Sequence, residues 1–157
     1  MLFDSLGHAT VNGSWLDSQL DASFKSYSSK LKKNKYIGGA VVGLSGINAY
    51  KHLDFLDMSK DYDNLYPIAG FDPVNEDISE IENLKKMGFY GIKIHPRFSN
   101  VDFLDNKKEL VKCFRVCADI DFPVFLCTFY QCKIENYQST DPHYLITSIL
   151  KESPTTK

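Results

Sequence analysis

Gly88-Phe89-Tyr90-Gly91-Ile92-Lys93-Ile94-His95-Pro96-Arg97-Phe98 is the stretch from which the rest of the chain can be read. Gly88 is placed to end a helix, because glycine alone enters the left-handed C-cap conformation without strain. Ile92 and Ile94 then mark a short apolar strand. Pro96, which has no N–H for a sheet ladder, turns the chain out of it. Lys93, His95 and Arg97 gather at the strand's carboxyl end, where parallel α/β sheets meet their ligands.

The same alternation extends in both directions. Met1 to Leu6 reads as a first strand running into the loop Gly7 to Gly13. Ser14 is placed to cap a helix from Trp15 to about Lys33, with Leu16, Leu20, Phe24, Tyr27 and Leu31 at spacings of three and four. Ile37 to Ser45 is apolar without alternation, as strands covered on both faces are. A helix from Asn48 to about Lys60, a strand from Leu65 to Phe71 and a helix from Ile78 to Met87 follow. Beyond the opening stretch come a helix from Asn106 to Ile120, a strand from Phe122 to Thr128, and a last helix from His143 to about Lys151 behind Asp141-Pro142. Glu152 to Lys157 reads as a turn. Strand and helix alternate at roughly 30 residues per unit, which specifies one domain, 1–157, with a parallel sheet under helical cover. Two architectures fit: a five-stranded doubly wound sheet, or a (β/α)8 barrel of which about five units are present.

Composition narrows the function classes. The net charge of -2 favours no polyanionic partner, so no nucleic acid is expected. No apolar run reaches the ~20 residues of a membrane helix, and no secretion signal opens the chain. Cys113, Cys117, Cys127 and Cys132 are read as reduced thiols of a cytoplasmic protein. There is no phosphate-binding glycine loop, no G-x-S-x-G elbow, and at the first strand's end only Asp4 where a receiver domain needs an acidic cluster. Cys113 and Cys117 fit a helix face as small hydrophobes better than as metal ligands. Phe125, Phe129, Tyr130 and Tyr137 suit loop packing or an apolar cleft.

Three segments together resemble the amidohydrolase-related family, the TIM-barrel metal-dependent hydrolases. Phe3-Asp4-Ser5-Leu6-Gly7-His8 stands where that family has D-x-H-x-H, Gly88 to Pro96 is similar to its fourth-strand motif G-F-x-G-I-K-L-H-P, and Pro123 to Thr128 stands where it has P-V-x-x-H-T. The resemblance implies the barrel architecture, cut after its fifth unit. It also implies a divalent metal, zinc first among the candidates, and hydrolysis by activated water or decarboxylation of a small organic acid or amide. The chain departs from the pattern at the metal. Leu6 occupies the first histidine position, His8 keeps the second, and Cys127 replaces the fifth-strand histidine. His8 and Cys127 are therefore the metal candidates, His8 having a hydrogen-bonded histidine as its alternative. Two ligands fall short of a hydrolytic site. Lys93, His95 and Arg97 are the substrate-binding candidates, Arg97 having a solvated loop role as its alternative. A buried lysine needs a countercharge, and Asp4 is expected to supply it to Lys93. The competing reading is an inactive, degenerate barrel that binds a small molecule or a protein. An open five-stranded sheet is expected to self-associate, as a homodimer or an aggregate.

Overall fold

The computed structural model describes residues 1–16, 18–47, 50–99, 101–128 and 142–157. Phe129, Tyr130, Cys132, Tyr137 and Asp141 lie outside them. In chain order the elements are β1 (Leu2–Gly7), α1 (Phe24–Lys33), β2 (Tyr36–Val42), α2 (His52–Lys60), β3 (Leu65–Gly70) and α3 (Glu80–Met87). Then come β4 (Ile92–Ile94), α4 (Pro96–Ser99), α5 (Lys107–Asp119), β5 (Val124–Leu126) and α6 (Pro142–Glu152).

Sheet order decides between the two architectures. All five strands are parallel and lie in the order β1-β2-β3-β4-β5. A doubly wound sheet reverses its order so that helices cover both faces. Without a reversal, right-handed crossovers put every helix on the same face, and the other face becomes the inside of a barrel. The fold is therefore a curled, partial (β/α) barrel.

Two apolar clusters reflect those faces. Val41, Ala69, Ile92 and Ile94 of the strands pack with Phe24, Phe55, Ile81, Leu84, Leu110 and Phe114 in the helical layer. Ala40, Val42 and Ile68, with Phe125 beside them, form a smaller cluster on the inner face. Fully burying Ile92 and Ile94 stabilises the fold by about 2 kcal/mol each, which is how three residues suffice for β4. Gly88 ends α3 at φ 112°, its N–H bonded to the Lys85 carbonyl, as the opening stretch required. Pro96 starts the one-turn α4, and the His95 carbonyl accepts from the N–H groups of Phe98 and Ser99.

Two expectations need correction. The first helix starts at Phe24, not Trp15: Ser23 is its cap, accepting from Ser26 N–H at 3.1 Å. Ser14 instead bridges Asp21 in a loop held to residues 10–13 through Ala22. Leu16 and Leu20 have helical spacing by coincidence, and both are exposed. Second, Asp4 does not face the barrel interior, as pairing with Lys93 would require. A bulge in β1 makes three residue steps, Asp4 to Gly7, span the two from Gly39 to Val41. The terminal residues form the expected turn and pack back on the sheet: the Lys157 carbonyl accepts from Val124 N–H at 2.9 Å, on the outer edge of β5. No helix of the described residues is long and apolar enough to cross a membrane.

Candidate functional site

Lys93 is flanked along β4 by Ile92 and Ile94, which point into the helical layer, so its own side chain points inward. Only 5% of its surface is exposed. Cys127 arrives beside it on the neighbouring strand, its N–H bonded to the Ile94 carbonyl at 3.0 Å. His95 follows at the end of β4, and His8 reaches the same mouth from the end of β1, next to the Val42 backbone.

Electrostatics ties these groups together. Burial lowers the Lys93 pKa, opposed by the neighbouring Cys127. Burial and then the Lys93 charge lower His8, with the Val42 backbone and Asp4 acting weakly the other way. The His95 pKa is lowered to about 4, first by burial and then by Lys93, with smaller contributions from His8 and Arg97. Lys93 thus lies within electrostatic reach of His8, His95 and Cys127, and the two histidines within reach of each other. Arg97 lies at its rim, exposed, with its guanidinium 5.7 Å from the centre of the Phe98 ring.

The expected Asp4–Lys93 pair is absent, and the bulge is the reason. Asp4 faces Tyr27 of α1, whose phenol pKa is raised by burial and then by that carboxylate. A Cβ at Gly7 or at Gly39, the register partner of Asp4, would run into the same tyrosine ring. The Lys93 carbonyl accepts from Phe71 N–H at 2.9 Å, but its Nζ has no hydrogen bond or ion pair among the described residues. His8 Nδ1, His95 Nδ1 and Ser99 Oγ are likewise buried without a partner there.

Two aromatic residues complete the mouth, and sequence reading missed both. Trp15 lies over His8 with ring centroids 5.0 Å apart, and Phe98 stacks on His95 at 4.3 Å with 29° between the planes. Trp15 reaches His8 because it belongs to a loop and not to a helix. Phe98 gave no signal beyond its place in the opening stretch.

Among the described residues, no three His, Cys, Asp or Glu side chains gather to hold a metal ion. Leu6 is 47% exposed and has no donor atom. The group beside His8 and Cys127 is an ammonium, which repels a cation. This donor set does not fit a hydrolytic zinc centre. It fits an anion: one unpaired ammonium, an arginine at the rim, and two imidazoles with free nitrogens.

Fold and site together define a partial parallel (β/α) barrel with a cationic mouth at the carboxyl ends of its strands. No family model matches the sequence, and no curated protein matches it. Among solved structures the chain is similar to a probable 2-pyrone-4,6-dicarboxylic acid hydrolase of Acinetobacter baumannii with citric acid bound. The identity is 22% and the TM-score 0.50, over 79% of this chain and 48% of that one. It is also similar to an uncharacterized TIM-barrel protein of Bordetella bronchiseptica, at 15% identity and a TM-score of 0.63, over 87% of this chain and 50% of that one. The chain spans about half the length of both, and the likeness establishes the TIM-barrel fold.

Proposed function

We propose that this chain provides the first five units of a hydrolase-like TIM barrel, and that its mouth binds the carboxylate of a small organic acid. The observation that carries the reading is Lys93, a buried cation with no carboxylate partner among the described residues. A charge in that position costs stability unless something anionic answers it. Lys93 would supply the countercharge, Arg97 a planar fork at the rim, and His95 a neutral hydrogen-bonding nitrogen. With a pKa near 4, His95 is too weak a base to take a proton from water near neutrality, so its role is to bind. No catalytic step is assigned to the described residues. The missing metal donors favour a second reading, a non-catalytic barrel that binds the same kind of ligand.

Citrate, the molecule bound in the Acinetobacter hydrolase, is the first probe. Titration calorimetry on the 157-residue chain should show binding that weakens with added salt and disappears in Lys93→Met. An unresponsive wild-type protein would overturn the carboxylate reading. Metal analysis of protein purified without chelators separates the two alternatives. Stoichiometric zinc supports the hydrolase, whereas citrate binding without metal supports the binding module.

A further inference from the structure

We propose that Gly46 is a positioning residue for this mouth: the loop after β2 presses its backbone against the α4 turn and so fixes how Phe98 holds the His95 ring. The inference rests on the carboxylate reading for its meaning, but the contact it invokes is independent of any ligand.

Gly46 has φ 86°, and a Cβ built there would stand 2.8 Å from the Phe98 carbonyl oxygen. The two backbones therefore meet with no room for a side chain. Phe98 is in turn the third residue of α4, and its N–H is bonded to the His95 carbonyl at 2.9 Å. Because α4 is a single turn, pushing on Phe98 slides its ring directly across the imidazole it covers.

The loop is rigid from behind. Ser45 Oγ donates to Glu76 Oε1 at 3.0 Å, and the same oxygen accepts from Asp72 N–H at 2.8 Å. His52 Nε2 meets Glu76 Oε2 at 3.0 Å, while His52 Nδ1 meets the Tyr50 hydroxyl at 3.0 Å. That hydroxyl accepts from Gly70 N–H at 2.9 Å, which closes the brace onto β3. One carboxylate thus joins the loops after β2 and β3 to the start of α2. Gly46 is exposed at the tip of the braced loop and has no part in the core. Its conformation is explained by the contact it makes with α4.

Gly88 is the matched control. It also has a positive φ, 112°, but a Cβ there would meet nothing within 4 Å. Gly46→Ala and Gly88→Ala therefore impose similar backbone strain, and only the first pushes on Phe98. The readout is the histidine-ring proton spectrum of the full chain, with His95 assigned through His95→Gln and its shielding by the stacked ring verified through Phe98→Leu. Gly46→Ala should lose most of that shielding and bind citrate about tenfold more weakly. Gly88→Ala should melt earlier yet keep both the shielding and the affinity. Ser45→Ala, which frees the loop from Glu76 without backbone strain, should move the His95 signal the same way by less, and it carries the test if Gly46→Ala does not fold. The proposal is overturned if neither loop variant moves the His95 signal, or if Gly88→Ala moves it equally. Wild-type protein that ignores citrate while Gly46→Ala still shifts His95 would sink the carboxylate reading and leave the positioning role intact.

Discussion

Asp4 in β1 and His8 just past its end face opposite sides of the sheet, although they are four residues apart and strand alternation would place them together. The bulge between them sends the carboxylate to Tyr27 in the helical layer and the imidazole to the mouth. Asp4→Asn should therefore leave citrate affinity unchanged, while His8→Ala should weaken it about fivefold, the worth of one hydrogen bond of about 1 kcal/mol. Calorimetry on the two variants checks this. An equal loss in both would mean that Asp4 acts on the mouth after all.

Lys93 sets function against stability. An ammonium buried without a partner destabilises the unliganded fold, so Lys93→Met should raise unfolding stability by about 1 to 3 kcal/mol while abolishing citrate binding. Methionine has similar length and reach, so no cavity offsets the gain. Urea denaturation without ligand gives the answer. A lowered midpoint would show that Lys93 is already satisfied in the free protein.

His95 gives the fold an acid limb. Its pKa is about 4 when folded against an ordinary 6.5, so between those values the unfolded chain binds more protons. Stability must then rise with pH from about 4 to about 6.5 and level off above, and His8 acts in the same direction. Solvent at the half-open mouth limits the His95 share to about 1 kcal/mol. Urea midpoints measured across that window should climb in the wild type and climb less steeply in His95→Gln. A flat wild-type profile would mean that the imidazole is solvated in the folded state.

What could be read from the sequence was what local chemistry determines. Gly88 as a helix stop, Ile92 and Ile94 as a strand and Pro96 as its end are each fixed within a few residues, and the structure keeps all three. Parallel alternation was legible for the same reason. The choice between open sheet and barrel was not local, because strand order records which neighbours pair; only the family resemblance favoured the barrel. Within the site, the inward direction of Lys93 followed from the period of its strand. The bulge in β1 did not, since it exists only in register against β2. Likewise, Trp15 gains its role from a loop that brings it back over His8, and Phe98 from the one-turn α4 that lays it on His95, neither of which the strand and helix periods announce. Cys113 and Cys117 are fully buried in the helical layer, as the helix face suggested.

The misplaced start of the first helix yields a direct comparison of two serines. Ser23 has extended backbone at φ -70°, ψ 150° and caps α1 through Ser26, whereas Ser14 lies in the preceding loop. Ser23→Ala should cost about 1 kcal/mol, and Ser14→Ala no more than a few tenths. Thermal melts of the pair decide it, and equal losses would restore a helix beginning near Trp15.

Among the described residues β1 pairs only with β2, so its outer edge offers unpaired N–H and C=O groups. Leu2, Phe3 and Leu6 along that strand are each about half exposed, and Ile37 on β2 is comparable. An apolar edge strand of this kind is a template for another chain, and charge on it is the usual protection. The 157-residue chain should therefore associate with itself as concentration rises, as a dimer or larger species, and Leu2→Lys with Leu6→Lys should shift it toward monomer without lowering its unfolding stability by more than about 1 kcal/mol. Static light scattering over a hundredfold range of protein concentration, read as mass against dilution, tests the claim. A wild-type mass that stays at one chain throughout would show that the exposed edge recruits nothing.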